Sequence, residues 1–322
     1  MKVRPQSFTL LDDYFEKGLI LEQIERCGRV CYKSEEKISE GSARTFINGI
    51  IQRGHESVLE MANLTLEVMV DGETTIQKFF AVIPRFVRAS RLEKGCYILS
   101  GSPRSFRDLA RSYGNLKVTK AALKMLSEKY PILFEDLSPR HGWIQQDGIS
   151  VRLLSPQEVE SLPNDLSLEH RTMLTHIITN RAVTHELVRH RVASYLQESQ
   201  RYCRYDQERF GGGVQCIAPC FYKEGTSEYR LWRKSMEETE KIYLELLKTS
   251  SPQAARTVLP NSCKTEIMVQ AHLGEWMHIF RLRASKAADP SMRELMLMML
   301  PEFVKRFPEI FTPIADMASG KH

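Results

Sequence analysis

No stretch of this 322-residue chain approaches the roughly 20 consecutive apolar residues that crossing a bilayer requires. The richest run, Leu295 to Leu300, gives way at once to Pro301 and charged residues, so a membrane-spanning segment is excluded. The opening Met1-Lys2-Val3-Arg4-Pro5 lacks the apolar core of a secretory leader. The seven cysteines include no Cys-x-x-Cys pair, which argues against a disulfide framework and for reduced thiols in a cytoplasm. No Gly-x-Gly-x-x-Gly follows a strand, so a Rossmann-type cofactor site is not supported. Charge of one sign is scarce too: 45 Lys and Arg against 40 Asp and Glu leave a net +5, too small and dispersed to imply nucleic-acid binding. Repeats and low-complexity tracts are absent.

What is present is a globular composition, 42% hydrophobic and 26% charged, on a chain long enough for a substantial core. Phe46, Ile47, Ile50 and Ile51 recur at helical spacing between Ser42 and Gln52, with Gly54 as a helix-ending glycine that delivers His55-Glu56-Ser57 into a turn. Leu64, Leu66 and Val68 alternate within Asn63 to Val70 and predict a strand. From about Asp71 to Arg171 the pattern is less regular, with a helical stretch from Thr119 to Lys129 and a loop-like run containing Pro139, Gly142, Gly148, Pro156 and Pro163. This segment reads as an insertion, poor in core material and therefore expected to be a peripheral lid or oligomer-contact element. Met173 to Thr179 reads as a strand leading into a polar helical run from Ala182 to His190. Beyond the loop Gly211-Gly212-Gly213 come a long amphipathic helix from Glu228 to Lys248 and helices starting at Pro252 and Pro290. The expected class is α+β, with a mixed sheet and a helical C-terminal half.

The densest polar constellation runs from Glu186 to Arg204, with four arginines, one histidine and two serines against two acids. Guanidinium groups offer planar donor forks suited to phosphate or to the carbonyl edge of a base, and Ser and Gln add shorter hydrogen bonds. A solvated basic helix face has the same composition, so the spacing decides. Arg189-His190-Arg191, seven further residues, then Ser199 form a signature with supporting blocks elsewhere: Gly28-Arg29-Val30-Cys31-Tyr32, Gly54-His55-Glu56-Ser57-Val58-Leu59-Glu60, Ala255 to Asn261, Trp276 to Phe280, and Leu282-Arg283-Ala284. In these blocks the chain resembles the flavin-dependent thymidylate synthases.

That resemblance implies a single catalytic domain, with an insertion at about 71–171, assembled as a homotetramer whose active sites are shared among subunits. It implies reductive methylation of dUMP to dTMP, with 5,10-methylenetetrahydrofolate as carbon donor and FAD, reduced by NADPH, as hydride source. Carried over, Glu186, Arg189, Gln197, Glu198, Ser199, Gln200 and Arg201 contact dUMP, and Arg256 reaches it from a neighbouring subunit. Arg283 is the catalytic position, a cation at the uracil N3/O2 edge. His55, Ser57, Glu60, Arg189, His190, Arg191, Gln197, His272 and His278 contact FAD. His272 and His278 lie about 120° apart on a helix, a poor arrangement for joint metal ligation, and no metal is expected. Cys216 and Cys220 read as structural thiols. The partners implied are nucleotide, folate and the chain itself, not nucleic acid or membrane. Departures from the family pattern fall at Met61, Leu196, Gly274 and Ala287, the last two bearing on contacts to the adenine dinucleotide. Two other readings remain: a flavin-dependent methyl- or hydroxymethyltransferase acting on another pyrimidine nucleotide, and a silent nucleotide- or RNA-binding relative.

Overall fold

The computed structural model describes residues 1–139 and 146–320; Gly142 of the expected loop lies outside the described residues. The chain divides into two compact units: Met1–Leu10, Arg29–Glu35 and Leu174–His322 form the first, Leu11–Gly28 and Glu36–Met173 the second. The strands in chain order are β1 (Lys2–Arg4), β2 (Ser7–Leu10), β3 (Leu64–Val70), β4 (Val87–Glu93), β5 (Cys96–Gly101), β6 (Ile149–Leu153), β7 (Thr172–Asn180), β8 (Ala193–Gln197), β9 (Gln215–Ile217) and β10 (Lys264–His272). Among the described residues no helix is long and apolar enough to cross a membrane.

The first unit is built on a four-stranded sheet in the order β2-β7-β10-β8, beside a short parallel pairing of β1 with β9. β8 runs antiparallel to β10 with Gln197 opposite Ile267, and every residue of β10 is buried. The helix Ser227–Thr249 starts on the Thr226 side chain, which accepts the Tyr229 N–H at 3.3 Å. It buries Met236, Tyr243 and Leu247, spaced along one stripe, against Cys203, Val214, Cys216 and Cys263. The helices Leu273–Arg283, Pro290–Arg306 and Pro308–Ser319 close around an aromatic cluster. Phe303 lies 5.2 Å from Trp276, 4.9 Å from Phe280 and 5.2 Å from Phe311, ring centre to ring centre, in the range of favourable aromatic pairs. On the first of these helices Arg283 follows Trp276 by seven residues, so its side chain leaves from the same buried stripe at the helix end.

Much of the second unit is the segment expected to be an insertion poor in core material, and within this unit it supplies core strands and helices. Its sheet has the antiparallel order β4-β5-β3-β6, so both neighbours of β3 come from the segment following it. Leu66 faces Leu99 on one side and Leu153 on the other. All of β5 is buried, as are Phe106 and Leu109 of the helix Pro103–Tyr113 and Val118, Leu123 and Leu126 of the helix Lys117–Lys129. The prolines and glycines that suggest a loop act as punctuation between these elements. Pro103 and Pro156 occupy first helical turns behind the caps Ser102 and Ser155.

His170 lies fully buried in this unit, its Nδ1 2.8 Å from the Ser100 hydroxyl. Burial, with a smaller contribution from the Arg88 charge, depresses its pKa to about 4. The unfolded chain takes up this proton near 6.5, so between those values it binds more protons than the folded chain and stability falls as pH drops. Denaturant unfolding is expected to show a loss of up to ~3 kcal/mol from this group between pH 7.5 and 4, and a smaller loss over the same interval in His170→Gln. Equal pH dependence in the two proteins would show that His170 makes no such contribution.

Candidate active site

The signature segment of the first unit begins at the end of the helix Arg181–Leu187, which Asn180 caps by accepting the Val183 N–H at 2.8 Å. The chain turns there as the Leu187 carbonyl accepts the His190 N–H at 3.2 Å in a tightened last turn and is met by side chains from ahead as well. The His190 Nδ1–H donates to it at 2.9 Å and the Tyr195 hydroxyl at 3.0 Å. With its Nδ1 proton committed to a carbonyl, the ring presents Nε2 as an acceptor, and the Arg283 Nε–H donates to it at 3.3 Å. Arg283 Nη1 donates to Glu186 Oε2 at 2.7 Å, so Glu186, His190 and Arg283 form one cluster although nearly a hundred residues separate the first from the last. The His278 ring lies 6.1 Å from that of His190, edge to face. Burial lowers the His190 pKa despite its bond to Leu187, and the charges of Arg283, His278 and Arg191 lower it further; the imidazole is neutral at physiological pH.

Around this cluster Arg189 and Arg191 are exposed, Arg191 bonding to the carbonyls of Val188 and His190. Further along, residues alternate in direction. The Gln197 amide donates to the hydroxyls of Thr184 at 2.9 Å and Thr265 at 3.1 Å. Glu198 and Gln200, expected to line a phosphate and sugar cradle, have their side chains turned into the protein. Glu198 accepts from the Tyr205 hydroxyl at 3.0 Å and from Lys264 Nζ at 2.7 Å, and the Gln200 amide meets Cys263 Sγ at 3.6 Å. Ser199 is half-buried; its N–H donates to the Cys31 carbonyl at 3.2 Å and its carbonyl accepts from Tyr202 and Cys203. Among the described residues no carboxylate or imidazole bonds to its hydroxyl. Arg201 is exposed, its guanidinium 5.5 Å from the Tyr202 ring centre. Arg256 is half-buried in the turn Arg256–Val258, and His272 is buried at the end of β10. His55, Ser57 and Glu60 belong to the second unit, in and just before the 3-10 helix Glu56–Met61.

Sequence reasoning missed the charges beneath the signature. Lys264 and Glu266, two apart on β10 and so on one face of it, are both buried. Lys264 bridges Glu198 and Glu266, while Glu266 also pairs with Lys33 and, at 2.9 Å, with His176 Nε2. Burial works against the charge on Lys264, but Glu198 and Glu266 outweigh it and raise its pKa; burial likewise opposes ionisation of Glu266, and His176, Lys264 and Lys33 together hold its pKa far below the usual range. The signal was a Lys and a Glu within a nine-residue strand otherwise fit for a core. The thiols of Cys31, Cys203, Cys216 and Cys263 are pushed up to about 12 by burial, which suits structural rather than reactive cysteines. Among the described residues no group of three or more His, Cys, Asp or Glu could hold a metal ion. The second unit also contains a cavity of about 620 Å³ against β6, lined by Phe15, Met125, Tyr130, Val151 and Leu153 among others, and none of the expected site residues lines it.

Comparison with known proteins gives the same assignment as the signature. A family model described as thymidylate synthase complementing protein matches residues 20–78 and 165–309, well over half of the chain. The flavin-dependent thymidylate synthase of Pyrococcus furiosus is 36% identical over 173 residues, covering 51% of this chain and 70% of that protein. That of Pyrococcus abyssi is 35% identical over 185 residues, covering 55% and 74%. A crystal structure of thymidylate synthase X from Helicobacter pylori with FAD and dUMP aligns over 44% of this chain and 72% of that one, at 18% identity and a TM-score of 0.36, a likeness too loose to place any residue. The chain belongs to the thymidylate synthase complementing protein family.

Removing Lys264 leaves the buried Glu198 carboxylate without its cation, whereas removing Glu198 leaves Lys264 paired with Glu266. Lys264→Met is expected to cost about 3 to 5 kcal/mol in denaturant unfolding, and Glu198→Gln less. The double variant should recover part of that loss. Full additivity of the two single losses would show that Glu198 and Lys264 are not coupled.

Proposed function

We propose that this chain is a flavin-dependent thymidylate synthase, converting dUMP to dTMP by reductive methylation with FAD as its cofactor. The observation that carries the reading is the cluster of Glu186, His190 and Arg283, which joins the signature to a distant arginine through direct hydrogen bonds. The residues suit an anionic dinucleotide: Arg189, Arg191 and His278 are exposed beside a neutral, buried His190, and the one carboxylate in the cluster, Glu186, is already paired with Arg283. When bound, FAD supplies the hydride, drawn from NADPH, while 5,10-methylenetetrahydrofolate supplies the carbon.

The chain's own groups bind and orient. Arg189, His190, Arg191, Gln197, His272 and His278, with His55, Ser57 and Glu60, hold the cofactor. Glu186, Arg189, Gln197, Ser199, Arg201 and Arg256 hold dUMP, and Glu198 and Gln200 contribute by anchoring the segment from within. Arg283 places its cation at the uracil N3/O2 edge, where negative charge develops. His190 fixes the plane of that guanidinium by accepting from Nε, a role its neutral state serves. The assembly is a homotetramer with shared sites, and Arg256 acts across a subunit boundary. The insertion at about 71–171 is an integral part of the catalytic chain. A cytoplasmic location fits a chain that consumes folate and NADPH.

Incubating the purified protein with dUMP, methylenetetrahydrofolate, FAD and NADPH should yield dTMP; dCMP in place of dUMP should yield no product. A protein that shows no flavin band after addition of FAD and forms no dTMP would remove this reading. Arg283→Ala should lower turnover by about a hundredfold, on the order of 3 kcal/mol, with a smaller effect on dUMP binding. Arg201→Ala should act mainly on binding, and identical profiles for the two variants would erase the distinction.

Among the described residues no carboxylate or imidazole bonds to the Ser199 hydroxyl, which supports a role as hydrogen-bond donor to dUMP and not as a nucleophile. Ser199→Ala should keep measurable dTMP formation with a raised dUMP requirement worth roughly 1 to 3 kcal/mol. Abolished synthesis in a variant that still binds FAD and dUMP would contradict this.

A further inference from the structure

The turn carrying His55 and Ser57 is held by a row of arginines from outside the family match. Arg104, Arg107 and Arg111 lie on the helix Pro103–Tyr113 at spacings of three and four, one stripe of that helix. Arg111 grips both oxygens of Glu56, Nη1 to Oε2 at 2.7 Å and Nη2 to Oε1 at 2.5 Å. Arg107, fully buried, donates to Glu56 Oε1 at 3.0 Å and spans both oxygens of Asp136 at 2.6 Å. Arg104 Nη1 donates to Glu60 Oε1 at 2.7 Å. Hydrogen bonds from Arg111 and Arg107 outweigh burial and hold Glu56 ionised, its pKa down at about 2. Glu56 is the residue between His55 and Ser57, so fixing its side chain by paired, planar forks fixes the backbone from which both neighbours project.

We propose that Arg107 and Arg111 are positioning residues for the cofactor site, clamping Glu56 so that His55 and Ser57 are presented to the flavin, with Arg104 setting the carboxylate of Glu60 in the same way. This rests on the reading above that His55 and Ser57 contact FAD. The helix Pro103–Tyr113 is then a support of the cofactor site.

The test uses the full chain, with FAD affinity from fluorescence titration, dUMP affinity, steady-state turnover and the thermal midpoint measured for each variant. Arg111→Gln and Glu56→Gln should weaken FAD about tenfold, as loss of the outer partners of a ligand-binding group does, while dUMP affinity and turnover at saturating FAD stay near those of the parent. Arg111→Lys should recover most of the affinity. His55→Ala, the control for the underlying reading, should also weaken FAD. Folded Arg111→Gln and Glu56→Gln proteins that bind FAD like the parent, alongside a His55→Ala protein that does not, would overturn the clamp alone. A His55→Ala protein with parental FAD affinity would overturn the reading and the clamp with it. Losses of FAD and dUMP affinity in equal proportion would mark a general loss of structure and also overturn the proposal. If Glu56→Gln fails to fold, Arg111→Gln, on the more exposed side of the pair, decides.

Discussion

The ammonium of Lys264, buried between the carboxylates of Glu198 and Glu266, is the constraint on which the first unit is arranged. Ions removed from water are tolerable only when each finds an opposite charge at good geometry. That requirement draws together β10, the residue following β8, the Lys33 turn and, through His176, β7. Because successive side chains of an extended segment point to opposite sides, committing Glu198 inward at the end of β8 commits Gln197 to the other side, before the chain turns at Gln200. The signature's direction is thus set from beneath. Arg283 then reaches it from the far end of the aromatic helix cluster.

In the second unit the comparable constraint is β3. A strand needs hydrogen-bonding neighbours on both edges unless an edge is left open, and β3 receives β5 on one side and β6 on the other. Both come from the segment between about 71 and 171. Composition suggests an appendage because Pro and Gly stand out in it. Within this unit the turn residues mark the ends of elements, and the short apolar runs between them, such as Tyr97-Ile98-Leu99, are the buried part.

Amphipathic elements were the legible ones. The helix Ser42–Gln52, the strand Leu64–Val70 and the helix Ser227–Thr249 stand where periodicity places them, since each has one face in the core and one outside it. β10 escaped because it is buried on both faces, which removes the alternation, and because Lys264 and Glu266 make it look like surface. At the site, the spacing of Arg189, His190, Arg191 and Ser199 was enough to locate the cluster, but not to tell that Glu198 points inward. Arg107 was illegible for the same reason as Lys264. A buried charge is recognisable only with its partner, and Glu56 lies some fifty residues away.

Burial keeps His190 neutral, with the charge of Arg283 adding to it against the opposing bond to Leu187, and that neutrality explains how arginines can gather here. Nδ1 gives its proton to the Leu187 carbonyl, and a second proton on Nε2 would face the Arg283 guanidinium directly. A neutral ring therefore accepts from the arginine, while Glu186 balances its charge from the other end. Two of the three guanidinium nitrogens are thereby engaged, and Nη2 makes no hydrogen bond among the described residues. The cation is fixed in orientation by the protein itself, with donors still available on one edge, as the proposed role of Arg283 at dUMP needs. Electrostatic stabilisation of a developing negative charge requires that preorganisation, because dipoles and cations that must reorient during the reaction give back much of what they contribute.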